Sequence, residues 1–463
     1  MRMALGLVLC ALMLHGMDLP EVPQVNTANF SPAIKAQIEQ AESEAKAHPQ
    51  DAHVIGTLGM IFHAYHQYDA AAKAYSRAHA LEPQNFDWAG LLGEAELEEG
   101  HFDIAAKSFR SALEIRPDDL PARLYLAQCL VAIADWAAAQ RLYRQILELH
   151  RDCPQAWYGL ARVQAAEGDH KSAAASFNEA CNLFPQYGAA QFALAGELRK
   201  LGKPSEAGLH FALYSKSSSI EPPLEDVLAQ RVEQLNQSST AHLQRGAELE
   251  SAGKLEDAIR EHQAVLQSDP NNVQAHINLI SLYGRAGDAA AAKQHFDAAI
   301  KLAPNRPDAW YDYGVLLFND QKYDQAEQAF RRALEVNPNY AEAHNNLGAI
   351  YEIKRHMEEA TSEFRTAIAD RPDYPLARFH LARILVNEQK YDEAIQQLLR
   401  ALQPEEENTP VYTYALAAAY ARSGNRERAL RYYREAHDLA VARGQSKLLA
   451  SIDHDLKMLD GEK

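Results

Sequence analysis

The sequence is poor in the residues on which most protein chemistry depends. Cysteine occurs four times, at Cys10, Cys129, Cys153 and Cys181, and none stands at metal-ligand spacing from another. If the N-terminal residues are removed, three remain, so at least one must stay unpaired or pair between chains. Buried free thiols are the expectation. There is no Gly-rich phosphate loop, no His-Glu-x-x-His, no Gly-x-Ser-x-Gly and no Cys-x-x-Cys, which leaves no catalytic constellation. Cationic charge is also short: 46 Lys and Arg against 63 Asp and Glu give a net charge of -17. That charge runs along the whole length rather than in a tail. It excludes the basic stripe that nucleic acid requires, and otherwise supports solubility and disfavours anionic surfaces. Runs of β-branched residues are few, and Gly and Pro stand mostly at punctuation points, so the chain is expected to be all-helical.

Nineteen histidines are the one abundance that invites metal or haem chemistry. His63 and His66 lie three apart and could share a helix face, but no carboxylate or thiol partner is evident near them. His242, His276 and His344 all fall at one position of a packing frame described below. No metal and no other cofactor is expected.

Met1 to Gly16 reads as a secretory signal peptide, with Arg2 as the positive start and Ala4 to Leu14 as an apolar stretch. That stretch is too short to span a bilayer as a helix. Cleavage near Met17 would leave a periplasmic or secreted protein with no membrane span in the mature chain. If the segment is not a signal, the protein is cytoplasmic. Cys10 suggests a lipoprotein only weakly, since Leu9 stands where a small residue is needed.

What the sequence has in abundance is a 34-residue period. Ala71, Ala105, Ala139, Ala173, Ala207, Ala258, Ala292, Ala326, Ala360, Ala394 and Ala429 mark eleven repeats. A fixed period of this length means a stacked solenoid, in which each unit buries its apolar face against its neighbours. With the alanine at position 20, repeats start at Ala52, Phe86, Leu120, Pro154 and Gly188, then at Ser239, Val273, Pro307, Ala341, Pro375 and, shifted by one residue, Pro410. Position 7 is Leu in all but Arg245 and Tyr313, and position 8 is Gly or Ala in all but Ile280. Position 24 is Tyr or Phe in all but His262 and Leu398. Positions 4, 7, 8 and 11 recur at helical spacing and form one apolar face. Small residues at 8 and 20 allow two antiparallel helices to approach closely, and the aromatic at 24 is expected to fill the space against the following repeat. Pro at 32, as in Pro83, Pro117, Pro270 and Pro338, ends the second helix.

This frame resembles the tetratricopeptide repeat. Its fullest copy runs Trp310, Tyr313, Gly314, Ala326, Phe330, Ala333, Pro338, and another runs Leu347, Gly348, Tyr351, Ala360, Phe364, Ala367, Pro372. The resemblance covers residues 52 to 443. It departs at Arg151 and Ser219, which replace the terminal Pro, and at Arg245 and His262. It implies an all-α TPR solenoid, a right-handed superhelix of helix-turn-helix repeats.

Seventeen extra residues, half a period, separate the fifth repeat from the sixth. Ser215 to Pro223 reads as a loop and Leu224 to Leu235 as one amphipathic helix, a cap or hinge between two arrays; the alternative is an eccentric repeat inside one continuous superhelix. The expected organisation is a signal over 1–16, a linker and capping helix over 17–51, five repeats over 52–221, a connecting helix over 222–238, six repeats over 239–443 and a capping helix over 444–463.

Positions 2, 5, 9 and 12 form the opposite face of the first helix, which in tetratricopeptide proteins lines the concave groove that holds partner peptides. On that resemblance the partner-binding candidates are Tyr158, Arg162, Phe192 and Arg199 in repeats four and five. In repeats eight to ten they are Tyr311, Phe318, Asn345, Phe379 and Arg383, with Glu352 beside them. At position 6, Asn278, Asp312 and Asn346 resemble a short version of the asparagine ladder in the repeat region of O-linked N-acetylglucosamine transferases, whose amides grip a peptide backbone. No transferase domain follows, so catalysis is not implied. The expected function is a non-enzymatic scaffold that binds one or more polypeptide partners and acts in envelope assembly or secretion. The alternative is an accessory subunit that recruits substrates for a separately encoded transferase or secretion complex.

Overall fold

The computed structural model describes residues 19–403 and 405–461. The expected signal over Met1–Gly16, with Cys10 and the cleavage position, lies outside the described residues. Among these residues there are 25 α-helices and no strand, and the chain divides into two compact units between Ala241 and His242. Eleven antiparallel helix pairs follow the 34-residue period. The first helices run Ala52–Ala64, Phe86–Glu98, Leu120–Ala132, Pro154–Ala166 and Gly188–Lys200 in the first unit. From the sixth repeat on they run Ser239–Ser251, Val273–Ala286, Pro307–Asn319, Ala341–Ile353, Pro375–Asn387 and Thr409–Arg422. Helices Pro32–Ala47 and Ser446–Gly461 flank the repeats.

The alanine at position 20 is the point of closest approach: ten of the eleven are wholly enclosed, and Ala207 is 1% exposed. Position 8 shows why a side chain is often absent there. A Cβ on Gly93 would lie 2.7 Å from the Phe109 ring, one on Gly314 2.7 Å from Phe330, and one on Gly348 2.8 Å from Phe364. The aromatic at position 24 therefore seats on position 8 of its own repeat, a contact the sequence reading did not assign. It also reaches forward, as Phe296 does to Trp310 and Tyr313 at 4.9 and 4.0 Å. The sixth repeat keeps the geometry with polar residues: a Cβ on Gly246 would meet the His262 ring at 2.6 Å, and Glu261 binds both His242 and Arg245.

Every repeat turns between its helices in the same way. Position 15 has a positive φ in all eleven, with Gly at 100, 168, 202, 253, 287 and 424, and His66, Ala134, Gln321, Arg355 and Gln389 in the rest. The next N–H then bonds back to the carbonyl of position 11, as in His101 to Glu96 at 2.8 Å and Lys322 to Leu317 at 2.9 Å. This is the Schellman closure, which satisfies carbonyls that a helix end leaves unpaired.

Position 4 has an equally local role. Arg123, Trp157, Gln191, His276, His344 and Arg378 each donate a side-chain N–H to the carbonyl six residues earlier, on Pro117, Arg151, Pro185, Pro270, Pro338 and Pro372. The bond ties the loop before a repeat to its first helix. Any side chain with a long or ring N–H serves, which gives His276 and His344 a structural role there. Among the described residues no group of three His, Cys, Asp or Glu could hold a metal ion. Cys129, Cys153 and Cys181 are free and buried, and burial pushes the thiols of Cys129 and Cys181 up to about 12.

Candidate partner-binding grooves

The insert between the fifth and sixth repeats is where the structure departs most from the sequence reading. The second helix of repeat five continues to Ser217, and the insert helix is only eight residues long, Val227–Gln234, rather than Leu224 to Leu235. It starts at Val227 because the Asp226 carboxylate caps the N–H groups of Leu228 and Ala229 at 2.9 and 3.0 Å.

From Ser217 the chain turns back over the first helices of its own unit. A Cβ on Gly188 would lie 2.2 Å from the Ser217 carbonyl oxygen, so glycine there lets the returning backbone pass. Gly188 N–H donates to the Ile220 carbonyl at 3.1 Å in repeat five. In repeat four the Gln155 amide donates to the carbonyls of Pro222 and Pro223 at 3.1 and 3.0 Å. Tyr125 of repeat three donates its hydroxyl to Asp226 at 3.0 Å. In repeat two Arg231 pairs with Asp87 at 2.5 Å, and Leu228 sits where a Cβ on Gly90 would come within 2.9 Å of it. The flanking helix contributes Gln37, which donates to the Leu235 carbonyl at 3.0 Å, and in repeat one the Tyr65 hydroxyl accepts from the Gln237 N–H at 3.0 Å. Gln155, Asp87 and Gly90 stand at positions 2, 2 and 5, on the face assigned to partner binding. Leu228 and Val232 are buried and belong to the unit's core.

Where the insert meets the first helices lies a partly open pocket of about 280 Å³, lined by Asp87, Gly90, Glu94, Asp119 and Tyr125 from the repeats and by Glu225, Asp226 and Leu228 from the insert. Burial first, and then the charges of Asp226, Asp119 and Glu98, push the Glu94 carboxyl well above the usual range.

The candidates of repeats four and five lie around the start of this path. Tyr158 is half-buried against Phe177 and Tyr187, with the Arg162 guanidinium 5.9 Å from its ring centre. Phe192 is 54% exposed and touches Phe211 and Tyr214, and Arg199 is exposed.

In the second unit a surface pocket of about 770 Å³ opens over the first helices of repeats eight to ten. Phe318, Ala349, Glu352, His380 and Arg383 contribute to its lining. Arg383 pairs with Glu352 at 2.8 Å and lies over the Phe379 ring, which packs on His380 and Tyr412. Burial, and then the charge of Arg383, lowers His380 to about 4, so it is neutral. Tyr311 packs between the tilted rings of Phe330 and Tyr340, and its hydroxyl accepts from the Asn346 amide at 3.3 Å. Asn345 is only 1% exposed and donates to Asn346 at 3.2 Å. Asn278 accepts from Gln274 at 2.8 Å. Asp312 is half-buried, and desolvation, followed by the charges of Asp308 and Glu250, raises its carboxyl to about 7. The structure thus gathers Phe318 and Arg383 in one open pocket, joins Tyr311 to the Asn346 amide, and encloses Asn345. Tyr125, Gln155, Asp87 and Gly90 escaped the sequence reading, because nothing in a repeat says what an insert elsewhere will lie on.

Matches to repeat-family profiles agree with this architecture. Residues 96–163, 285–350 and 355–420 match one tetratricopeptide repeat profile, and residues 64–119, 154–187 and 413–446 match three others of the same description. No curated protein matches the chain. Among solved structures it is similar to PilF of Pseudomonas aeruginosa, at 19% identity over 47% of this chain and 97% of that one, with a TM-score of 0.42. PilW, described as a type IV pilus biogenesis factor, matches at 20% identity over 46% and 97%, with a TM-score of 0.40. MamA matches at 26% over 35% and 95%, with a TM-score of 0.31. With its matched residues spanning well over half its length and its eleven helix pairs in register, the chain belongs to the tetratricopeptide repeat family.

Proposed function

We propose that the protein is a non-catalytic scaffold that holds a partner polypeptide in the first-helix groove of its second unit. The observation that carries this reading is the open pocket at Phe318, Glu352, His380 and Arg383. An aromatic floor beside an ion pair offers both burial for an apolar side chain and a charged contact for its flank. Asn278, Asp312 and Asn346 extend the contact along position 6 as hydrogen-bonding rungs to a peptide backbone. In the first unit, Tyr158, Arg162, Phe192 and Arg199 flank a face that the chain partly fills itself.

The apolar stretch from Ala4 to Leu14 supports export, and with it a role in envelope assembly or secretion. No helix among the described residues is long and apolar enough to cross a membrane. The N-terminus of the protein from cells tests export directly: a start near Met17 is expected, and intact Met1 on cytoplasmic protein overturns it.

For the scaffold, Phe318→Ala combined with Arg383→Ala should weaken capture of the partner by about tenfold or more, as truncation of interface anchors does. Helicity and Tm should stay nearly unchanged. Unaltered capture, or loss of folding, would overturn the assignment of these residues to the site.

A further inference from the structure

Residues 220–237 meet the first unit as a bound peptide would rather than as another layer of the stack. Their path is extended across repeats five and four and helical only over repeats two and one. Three of the contacts, from Gly188 and Gln155, go to main-chain carbonyls and read no side chain. Identity is read at four points: Asp226 by Tyr125, Leu228 by the space above Gly90, Val232 by the apolar core, and Arg231 by Asp87.

The fit is also incomplete. A partly open pocket of about 280 Å³ remains where the insert meets the first helices. Four acids, Glu94, Asp119, Glu225 and Asp226, line it together with Asp87, while the cations on its rim, Arg116 and Arg231, both lie near Asp87. Glu94 is left facing carboxylates rather than a base. Val227, at the pocket edge, is 68% exposed. An eight-residue helix has little stability of its own, so the insert holds its form only while docked.

We propose that the first unit's groove is a second polypeptide-binding site, and that residues 220–237 are its resident self-ligand. A partner segment with the same frame displaces it: an extended proline-containing stretch, an Asp-capped helix with Leu and Val four residues apart, and a basic residue facing Glu94. This rests on the scaffold reading only in treating a first-helix groove as a peptide site, and its test needs no cellular partner.

The test uses the full chain and a labelled synthetic peptide of residues 218–238. In the Leu228→Asp/Val232→Asp variant the insert loses its apolar anchors and the groove should open. That variant should bind the peptide in trans, and the wild-type chain should bind it at least about tenfold more weakly. A peptide carrying Glu225→Lys, which removes one acid and sets a cation near Glu94, should bind about tenfold more tightly than the natural sequence. A peptide carrying Leu228→Asp should not bind.

A folded variant that ignores all three peptides overturns the proposal, as does equal binding of the Lys and Glu peptides for the basic-residue element. Should the variant lose the first unit's fold, a second arm decides. Protease sites inserted at Ser219 and Ser238 of the otherwise wild-type chain allow the insert to be cut free at both ends. Exchange of the nicked segment for labelled peptide supports the self-ligand. A segment that leaves only when the unit unfolds is permanent core and overturns it. Failure here leaves the pocket at Phe318 untouched, so the two readings fall separately.

Discussion

In the first unit the first-helix face of five repeats is crossed by the chain's own residues 218–237, whereas in the second the same face opens into a pocket at Phe318, Glu352 and Arg383. Both faces are presented by one repeat frame, with the same alanine at position 20, the same turn at position 15 and the same Schellman closure. What differs is a handful of residues outside the recurring frame. Gly188 lets the chain reverse, Gly90 leaves room for Leu228, and Tyr125 and Asp87 receive the polar side chains of the insert. The stack is set by the residues that recur, and the content of the groove by those that do not.

The largest effect should come from closing the reversal in the first unit. Gly188→Ala puts a Cβ against the Ser217 carbonyl, a backbone atom that cannot swing aside. A loss of about 3 kcal/mol is expected, in the range for overpacking against a fixed neighbour. Hydrogen exchange should show the loss in the first unit and around the insert, with the second unit unaffected. Equal protection in wild type and variant would mean that the insert does not depend on this passage.

A smaller and pH-dependent change is expected in the second unit. The Asp312 carboxyl is raised to about 7 in the fold, mainly by desolvation. Between roughly pH 4 and 7 the unfolded chain ionises there while the folded chain keeps its proton, so stability falls across that window and the cost is constant above it. Asp312→Asn should therefore stabilise the second unit by roughly 2 kcal/mol at pH 8, with the gain shrinking to nothing near pH 4. Denaturant melts at the two pH values check this. A gain that does not change with pH would place its cause outside the carboxyl's ionisation.

The smallest effect concerns what the two units share. Gln321 and Ala134 hold the left-handed conformation at position 15, where six other repeats have glycine. Gln321→Gly in the second unit and Ala134→Gly in the first should each stabilise by about 1 kcal/mol, by relieving the strain of a Cβ at positive φ. A fall in Tm in either variant would show that the side chain does more than occupy the turn.

The sequence made the stack legible because stacking is periodic. The alanine at 20, the small residue at 8 and the aromatic at 24 give the helix pairs, and ten of the eleven first helices begin at the residue the period predicts. Two local devices were hidden because each is filled by varied residues. The turn at position 15 is occupied by residues as different as Gly, His and Arg, so composition does not mark it. The clamp at position 4 uses Arg, Trp, Gln and His interchangeably, because all it requires is an N–H at the right reach. The site was legible only in part. Positions 2, 5, 9 and 12 marked the face and so included Phe318 and Arg383, but Asn345 at position 5 is enclosed by its neighbours. The insert could be seen as half a period, yet its destination depended on Gln155, Tyr125 and Asp87, residues far from it in sequence.

Photo-crosslinking in cells from azidophenylalanine placed singly at Tyr125 and at Phe318 puts the central contrast between the two units to the most direct test. The account predicts that the probe at 125 joins the chain to its own residues 225–231, and that the probe at 318 joins it to a different polypeptide. Only self-products at 318, or a probe at 125 that never joins residues 225–231, would contradict it.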